Sequence, residues 1–488
     1  MNQFTNNSTS IAPLAFLPKK ISNNSILVYI IMLVLCVVLF TQYSLNSYWW
    51  IIGIAEVGGF FYFSNHLTKA WATISSKAFE KNLFWTAWII RICVMLFLYW
   101  FFDFMTGQPF MFSAADALGY HEEATWIAET IRNGHFQTYL DYKFAPGNGV
   151  SDAGYPMYLG LVYTLFGDSI IVARLLKCLW SALSCVLLYR LATRNFGEHV
   201  GRMAGIFLML WPHFLVYSGM HLKETEMVFM ILLFLERADA LFRYRNFSFK
   251  TVSIVVILMA SLFTFRTILG LCGVLAVVMT LLLSNKRFMS WNRRLIFLVL
   301  FAIVALFFAG GRIVSEIEHY WNHKDDNQSS RWTAIVRTQG LAKYATTSVM
   351  APMIFTFPFP TMVETEGQEN SRLIHGGLVV KNIMSFFCLA ALILLVLSKG
   401  PNGESWRNNV TIGSFLIGYL LILAFSAFVH SDRFHMPALP LEMIFMAFGV
   451  SIMKKVPWMK IYFSYWVLLM IIACIAWNWF KLAGRGLI

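Results

Sequence analysis

Apolar residues in this chain come in runs of roughly 17 to 25, the length a helix needs to cross a hydrocarbon layer about 30 Å thick. The runs predict about thirteen helical spans, near residues 26–43, 48–65, 83–103, 169–193, 200–218, 223–242, 251–265, 268–284, 294–310, 378–397, 410–430, 435–452 and 459–480. Most of the polar segments between them are short. Two are long, roughly 104–168 and 311–377, and separations of that length usually carry function.

Composition agrees with the pattern. Hydrophobic residues make up 58% of the 488 residues, charged residues 13%, and mean hydropathy is +0.63, which is too apolar for a soluble globular protein. The fold expected is all-α: a polytopic integral membrane protein. The net charge of +13 would point to nucleic acid in a soluble chain. Here the basic residues sit in short loops between spans, so topology accounts for them and no nucleic-acid partner is expected. The polar Asn- and Ser-rich start, residues 1–24, lacks the apolar run and cleavage site of a signal peptide, so the first span is expected to remain as an anchor. Cys36, Cys93, Cys178, Cys185, Cys272, Cys388 and Cys474 all fall in apolar spans without a CxxC pair, and read as small core residues.

Threading the spans alternately puts Lys19, Lys20, Lys69, Lys77, Lys81, Arg190, Arg194, Arg237, Arg243, Arg245, Lys250, Lys286, Arg287, Arg293, Arg294, Lys399, Arg407, Lys454 and Lys455 on one side. By the positive-inside rule that side is the cytosol. The N-terminus is then cytosolic, the C-terminus extracytoplasmic, and both long loops lie outside. No cytosolic loop could hold a nucleotide-binding domain, and neither a Walker A loop nor an Asp-x-Asp pair is present. Activated substrate must come from the membrane or from outside. The domain reading is a cytosolic tail (1–24), an N-terminal transmembrane module (25–310) with an outer loop at 104–168, an extracytoplasmic loop (311–377) and C-terminal transmembrane helices (378–488).

The first long loop carries the candidate chemistry. Asp116, Tyr120 and Ala124 stand a helical turn apart on one face, a carboxylate, a phenol and a small residue suited to a sugar. Ser113 is expected to cap this helix and Gly134 to end it. The same spacing leaves two roles open for Asp116: first-turn capping in a Ser-x-x-Asp box, or catalysis. Charges at membrane depth cost about 2.5–3.5 kcal/mol each on an insertion scale and need a partner or a task. Glu56 and Arg91 fall mid-span and are expected to pair. Arg174, Lys177, Lys223 with Glu224, Arg266 and Arg433 gather at the outer surface, against the positive-inside trend. They are expected either to snorkel to lipid headgroups or to bind an anion together. A carboxylate beside such cations suits transfer from a phosphate leaving group.

These residues carry a resemblance. The run Asp116 to Ala124, then GYPMYLGLVYTLFGDSIIVARLLKCLWSALSCVLLYRLATRNFG, the segment containing Pro212, Tyr217, Ser218 and Lys223-Glu224, and RFHMPALP near the C-terminus resemble the lipid carrier-dependent GT-C glycosyltransferases of the protein O-mannosyltransferase and aminoarabinose transferase superfamily. The resemblance implies a GT-C-like fold and an inverting transfer of sugar from a polyprenyl-phosphate donor, undecaprenyl phosphate in a bacterial inner membrane. The acceptor would be a lipid, glycan or protein at the extracytoplasmic face, and neither metal nor cofactor would be needed. It also implies Asp116 as catalytic base, Arg266, Arg433, Lys223 and Arg174 as donor-phosphate contacts, and Tyr120, Tyr155, Glu224 and His435 as substrate contacts. Two departures stand out: Ala117 replaces a second acid, and Gly154-Tyr155-Pro156 replaces a Lys-Pro-Pro turn, with Lys143 as a substitute for the missing lysine.

The second long loop holds HYWNHKDDNQSSRW, whose His319, His323, Asp325 and Asp326 read as a solvated polar stretch, and MAPMIFTFPFP. Three prolines keep the latter from spanning, leaving a re-entrant piece, a surface-lying piece or a simple outer cover. Two other function classes stay open: a polymerase or ligase of diphosphate-linked glycans, and a transporter or flippase, although no internal repeat is visible.

Overall fold

The computed structural model of the protein describes residues 14–145, 151–244, 247–283, 353–397, 406–424 and 431–488, with a few single residues among 292–299 and 426–429. The described chain is helical: α1 (Lys19–Leu39), α2 (Ser47–Ala70), α3 (Ser76–Thr106), α4 (Ala115–Arg132), α5 (Phe136–Lys143), α6 (Gly154–Phe166), α7 (Ile170–Phe196), α8 (Glu198–Leu210), α9 (Pro212–Gly219), α10 (Glu224–Tyr244), α11 (Phe249–Phe265), α12 (Thr267–Leu283), α13 (Glu369–Leu373), α14 (His375–Leu397), α15 (Val410–Ala424), α16 (Asp432–His435), α17 (Leu439–Ile452) and α18 (Trp458–Ala483). Five of them, α1, α3, α7, α14 and α18, are long and apolar enough to cross a membrane, and α8 with α9 would make a sixth. Helices α11, α12, α15 and α17 are apolar but shorter. The protein is an integral membrane protein of helical architecture. Helices α7, α8, α14 and α17 pack at its centre, while α3 and α18 keep much of their surface outward.

The expected span 294–310 lies largely outside the described residues. The expected span 200–218 is broken: α8 ends at Leu210, Trp211 is extended (ψ 121°), and α9 starts at Pro212 with its axis turned by 48°. Proline lacks an amide hydrogen and pushes the preceding residue out of the helical region.

That break also explains why Glu56 and Arg91 do not pair as expected. Arg91, fully buried on α3, donates to the carbonyls of Leu208 (3.1 Å) and Met209 (3.4 Å), to its own turn at Ala87 and to the Ser181 hydroxyl. The Leu208 carbonyl is the one that would have received the missing amide of Pro212. A buried carbonyl in lipid has no water to turn to, so the guanidinium answers the break rather than a carboxylate. Glu56 instead accepts the Gly377 amide of α14 at 2.9 Å. Arg91→Met is expected to lower stability by about 1–3 kcal/mol for each carbonyl left unpaired, read as a fall in melting temperature in detergent. Glu56→Gln, which keeps an acceptor for Gly377, should fall less; equal losses would restore the pairing.

Residues 353–363 are neither a span nor a surface-lying cover. They run irregularly and buried between α14 and α18, with Phe357, Met362 and Val363 almost wholly enclosed. Their carbonyls are answered by side chains: Lys381 donates to Phe357, Asn382 to Thr356 and Asn478 to Pro360. Irregular backbone survives at depth when protein groups satisfy it. His319, His323, Asp325 and Asp326 lie outside the described residues.

Candidate active site

Helix α4 starts one step differently from the capping expectation. Ser113 sits at φ +52° and does not cap; Ala114 precedes the helix, with no side-chain cap. The far end behaves as expected: Gly134 at φ +74° lets its amide reach the Ile131 carbonyl and the His135 amide reach Thr130, the Schellman arrangement. Ala117, Ala124, Ile127 and Ala128 bury one face of α4 against α6. Asp116 stays half exposed at the first turn, with its carboxylate directed to another part of the chain.

Its partner is Arg433, on α16. One guanidinium ties two carboxylates together: Nε donates to Glu224 Oε1 and Nη1 to Asp116 Oδ2. Glu224 opens α10 and is completely buried, Arg433 is 16% exposed, and Asp116 is 54% exposed. A buried carboxylate needs a hydrogen-bonded cation, and the planar fork of arginine can serve an interior and an exterior acid at once. The segment is anchored by Asp432, which accepts from the Tyr217 hydroxyl of α9, and by Tyr419 of α15, whose hydroxyl donates to the Phe434 carbonyl at 2.8 Å.

Two further cations face the same place. Arg266 ends α11 in an extended conformation and lays its guanidinium over the Phe434 ring, 4.3 Å from the centroid, with Nη1 buried and lacking a hydrogen-bond partner among the described residues. Lys223, 2% exposed, forms an ion pair with Asp152 and stands 5.6 Å from the centre of the Tyr120 ring. Tyr120 packs edge-on against Tyr155, centroids 5.1 Å apart. Burial first, and the Glu224 charge second, push its phenol up to about 12, so it remains a hydrogen-bond donor at physiological pH. Tyr155 is fully buried and accepts from Lys177 at 3.2 Å; Lys177 in turn pairs with Glu226 at 3.2 Å.

The fold thus brings together Asp116, Tyr120, Lys223, Glu224, Arg266 and Arg433, with Tyr155 behind them. The other expected residues make contacts of their own. Arg174 is buried with its guanidinium on the Pro109 carbonyl and over Tyr99. His435 is enclosed between the Val429 carbonyl (2.8 Å) and Lys381 Nζ (3.0 Å). Lys143 does not substitute for the missing lysine at the site; it pairs with Glu123 at 2.8 Å. Sequence reading missed Asp152 and Asp432. Asp432 had a signal in standing next to Arg433, whereas Asp152 had none.

Residues 154–310 match the family described as dolichyl-phosphate-mannose-protein mannosyltransferase. The match supports a GT-C superfamily glycosyltransferase. It covers about a third of the chain and includes Tyr155, Lys223, Glu224 and Arg266. Neither a curated protein nor a solved structure matches the chain. Asp116, Tyr120 and Arg433 lie outside the matched segment, and Arg433 ties Asp116 to Glu224 within it.

Proposed function

We propose that this glycosyltransferase moves a sugar from a polyprenyl-phosphate donor to a hydroxyl of a lipid, glycan or protein acceptor, with inversion, at the extracytoplasmic face of what the basic loops make a cytosol-in membrane, such as a bacterial inner membrane. Asp116 takes the acceptor proton as the acceptor oxygen bonds to the anomeric carbon. The bond from that carbon to the phosphate oxygen breaks, its electron pair leaving on the lipid phosphate. Arg433, Arg266 and Lys223 balance the charge that grows there, and Tyr120 and Tyr155 wall the sugar side.

The observation that carries this reading is the single guanidinium of Arg433 held between Asp116 and Glu224, beside the unpaired Nη1 of Arg266. A carboxylate and several cations therefore lie close together around Tyr120 and Glu224. Asp116 keeps its second carboxylate oxygen without a hydrogen bond among the described residues, so it can accept a proton while Arg433 holds the first.

The test is transfer by the purified protein in detergent, using radiolabelled polyprenyl-monophosphate sugars with a host lipid extract as acceptor. Labelled product from a monophosphate donor is the expected result. Turnover with diphosphate-linked glycans alone would replace this reading with a polymerase or ligase. In the same assay Tyr120→Phe is expected to lower transfer by up to about tenfold, the loss of one hydrogen bond to the sugar; an unchanged rate would remove the phenol from substrate binding.

A further inference from the structure

The charges at the site are internally balanced. Arg433 faces Asp116 and Glu224, and Lys223 faces Asp152. The carboxylates differ in kind: Glu224 is wholly buried on α10, whereas Asp116 and Asp152 lie in the polar segment between α3 and α7, each about half exposed. Asp152 is held at φ +66°, a conformation that costs an L residue energy unless something outside the local backbone fixes it, though Asp tolerates it better than most. Among the described residues the ionic contact of Asp152 is with Lys223, whose ammonium is almost completely enclosed and stands near the Tyr120 ring.

An enclosed ammonium needs an anion close by. Asp152 provides it. We infer that Asp152 is a stand-in for the donor phosphate: its carboxylate occupies the anion position on Lys223 and is displaced when the lipid phosphate enters. The inference rests on the proposed polyprenyl-phosphate donor and adds a residue to it. Asp152 then sets donor affinity by competition, and the carrier phosphate, singly charged in the sugar-bearing diester and more highly charged in the released monoester, displaces it without leaving Lys223 uncompensated. Glu224 is not displaced, because no solvent path would hydrate it.

Competition makes a prediction opposite in sign to that of a binding residue. Undecaprenyl phosphate is titrated into the full-length protein in detergent and bound lipid is counted by native mass spectrometry, for the unaltered chain, Asp152→Asn, Asp152→Glu, Lys223→Met and the double variant Asp152→Asn with Lys223→Met. Asp152→Asn, isosteric and half exposed, should bind about three- to tenfold more tightly, and Asp152→Glu should not gain. Lys223→Met should weaken binding, and in its background Asp152→Asn should have no effect; a gain that persists there would reduce Asp152 to general charge repulsion and overturn the inference. Weaker or unchanged binding by Asp152→Asn would also overturn it, making Asp152 a residue that positions Lys223 while the proposed donor stands. Binding of undecaprenyl phosphate to none of the five proteins would remove the donor reading and this inference with it.

Discussion

Asp116→Asn is expected to abolish sugar transfer, lowering the rate about 10²- to 10⁴-fold, the range ordinarily contributed by a positioned general base. The substitution changes little else. Asp116 is half exposed and its amide counterpart can still accept from Arg433 Nη1, while Glu224 continues to hold Arg433 from inside. Melting temperature in detergent should therefore stay close to that of the unaltered protein while labelled product disappears. That split matters because Asp116 sits in the first turn of α4, where an acid also favours the helix dipole, although Ser113 does not cap and the carboxylate meets Arg433. If transfer persisted at full rate in the folded variant, Asp116 would be a partner for Arg433 and nothing more, and another group would have to take the acceptor proton.

Arg433→Ala should behave oppositely and lose both activity and stability. Removing one partner of a buried ion pair typically costs about 3–5 kcal/mol, because the other charge is left uncompensated. Glu224 is completely enclosed and its second oxygen already lacks a hydrogen bond. Thermal unfolding in detergent should show a large drop, accompanied by loss of transfer. Arg433→Lys tests the fork: a point charge can satisfy Glu224 or Asp116 but not both through separate nitrogens. It should recover much of the stability and little of the transfer. Recovery of transfer with lysine would mean that charge alone matters at this position. Unchanged stability in Arg433→Ala would mean that Glu224 is neutral in the folded protein.

Much of this was legible in the sequence because lipid imposes a length and a composition that any helix crossing it must obey. Apolar runs located α1, α3, α7, α14 and α18, and the three prolines of residues 350–360 argued against a full span there. The spacing from Asp116 to Tyr120 located one face of the site. Local pattern misjudged pairings. Glu56 and Arg91 looked complementary by depth, but the carbonyl freed at Pro212 was the stronger demand on Arg91. Arg174 and His435 carried suitable chemistry, and each contacts a backbone carbonyl.

Sequence alone thus determined the environment, the class of fold and the kinds of residue available, since periodicity and burial cost act locally along a chain. Only tertiary structure decided which cation meets which acid. Asp116 and Glu224 share the Arg433 guanidinium across sequence separations of 317 and 209 residues, and Asp152 meets Lys223 at the same surface. Ion pairing in an enclosed site depends on distance and desolvation, and both are set by how α4, α10, α11 and α16 converge.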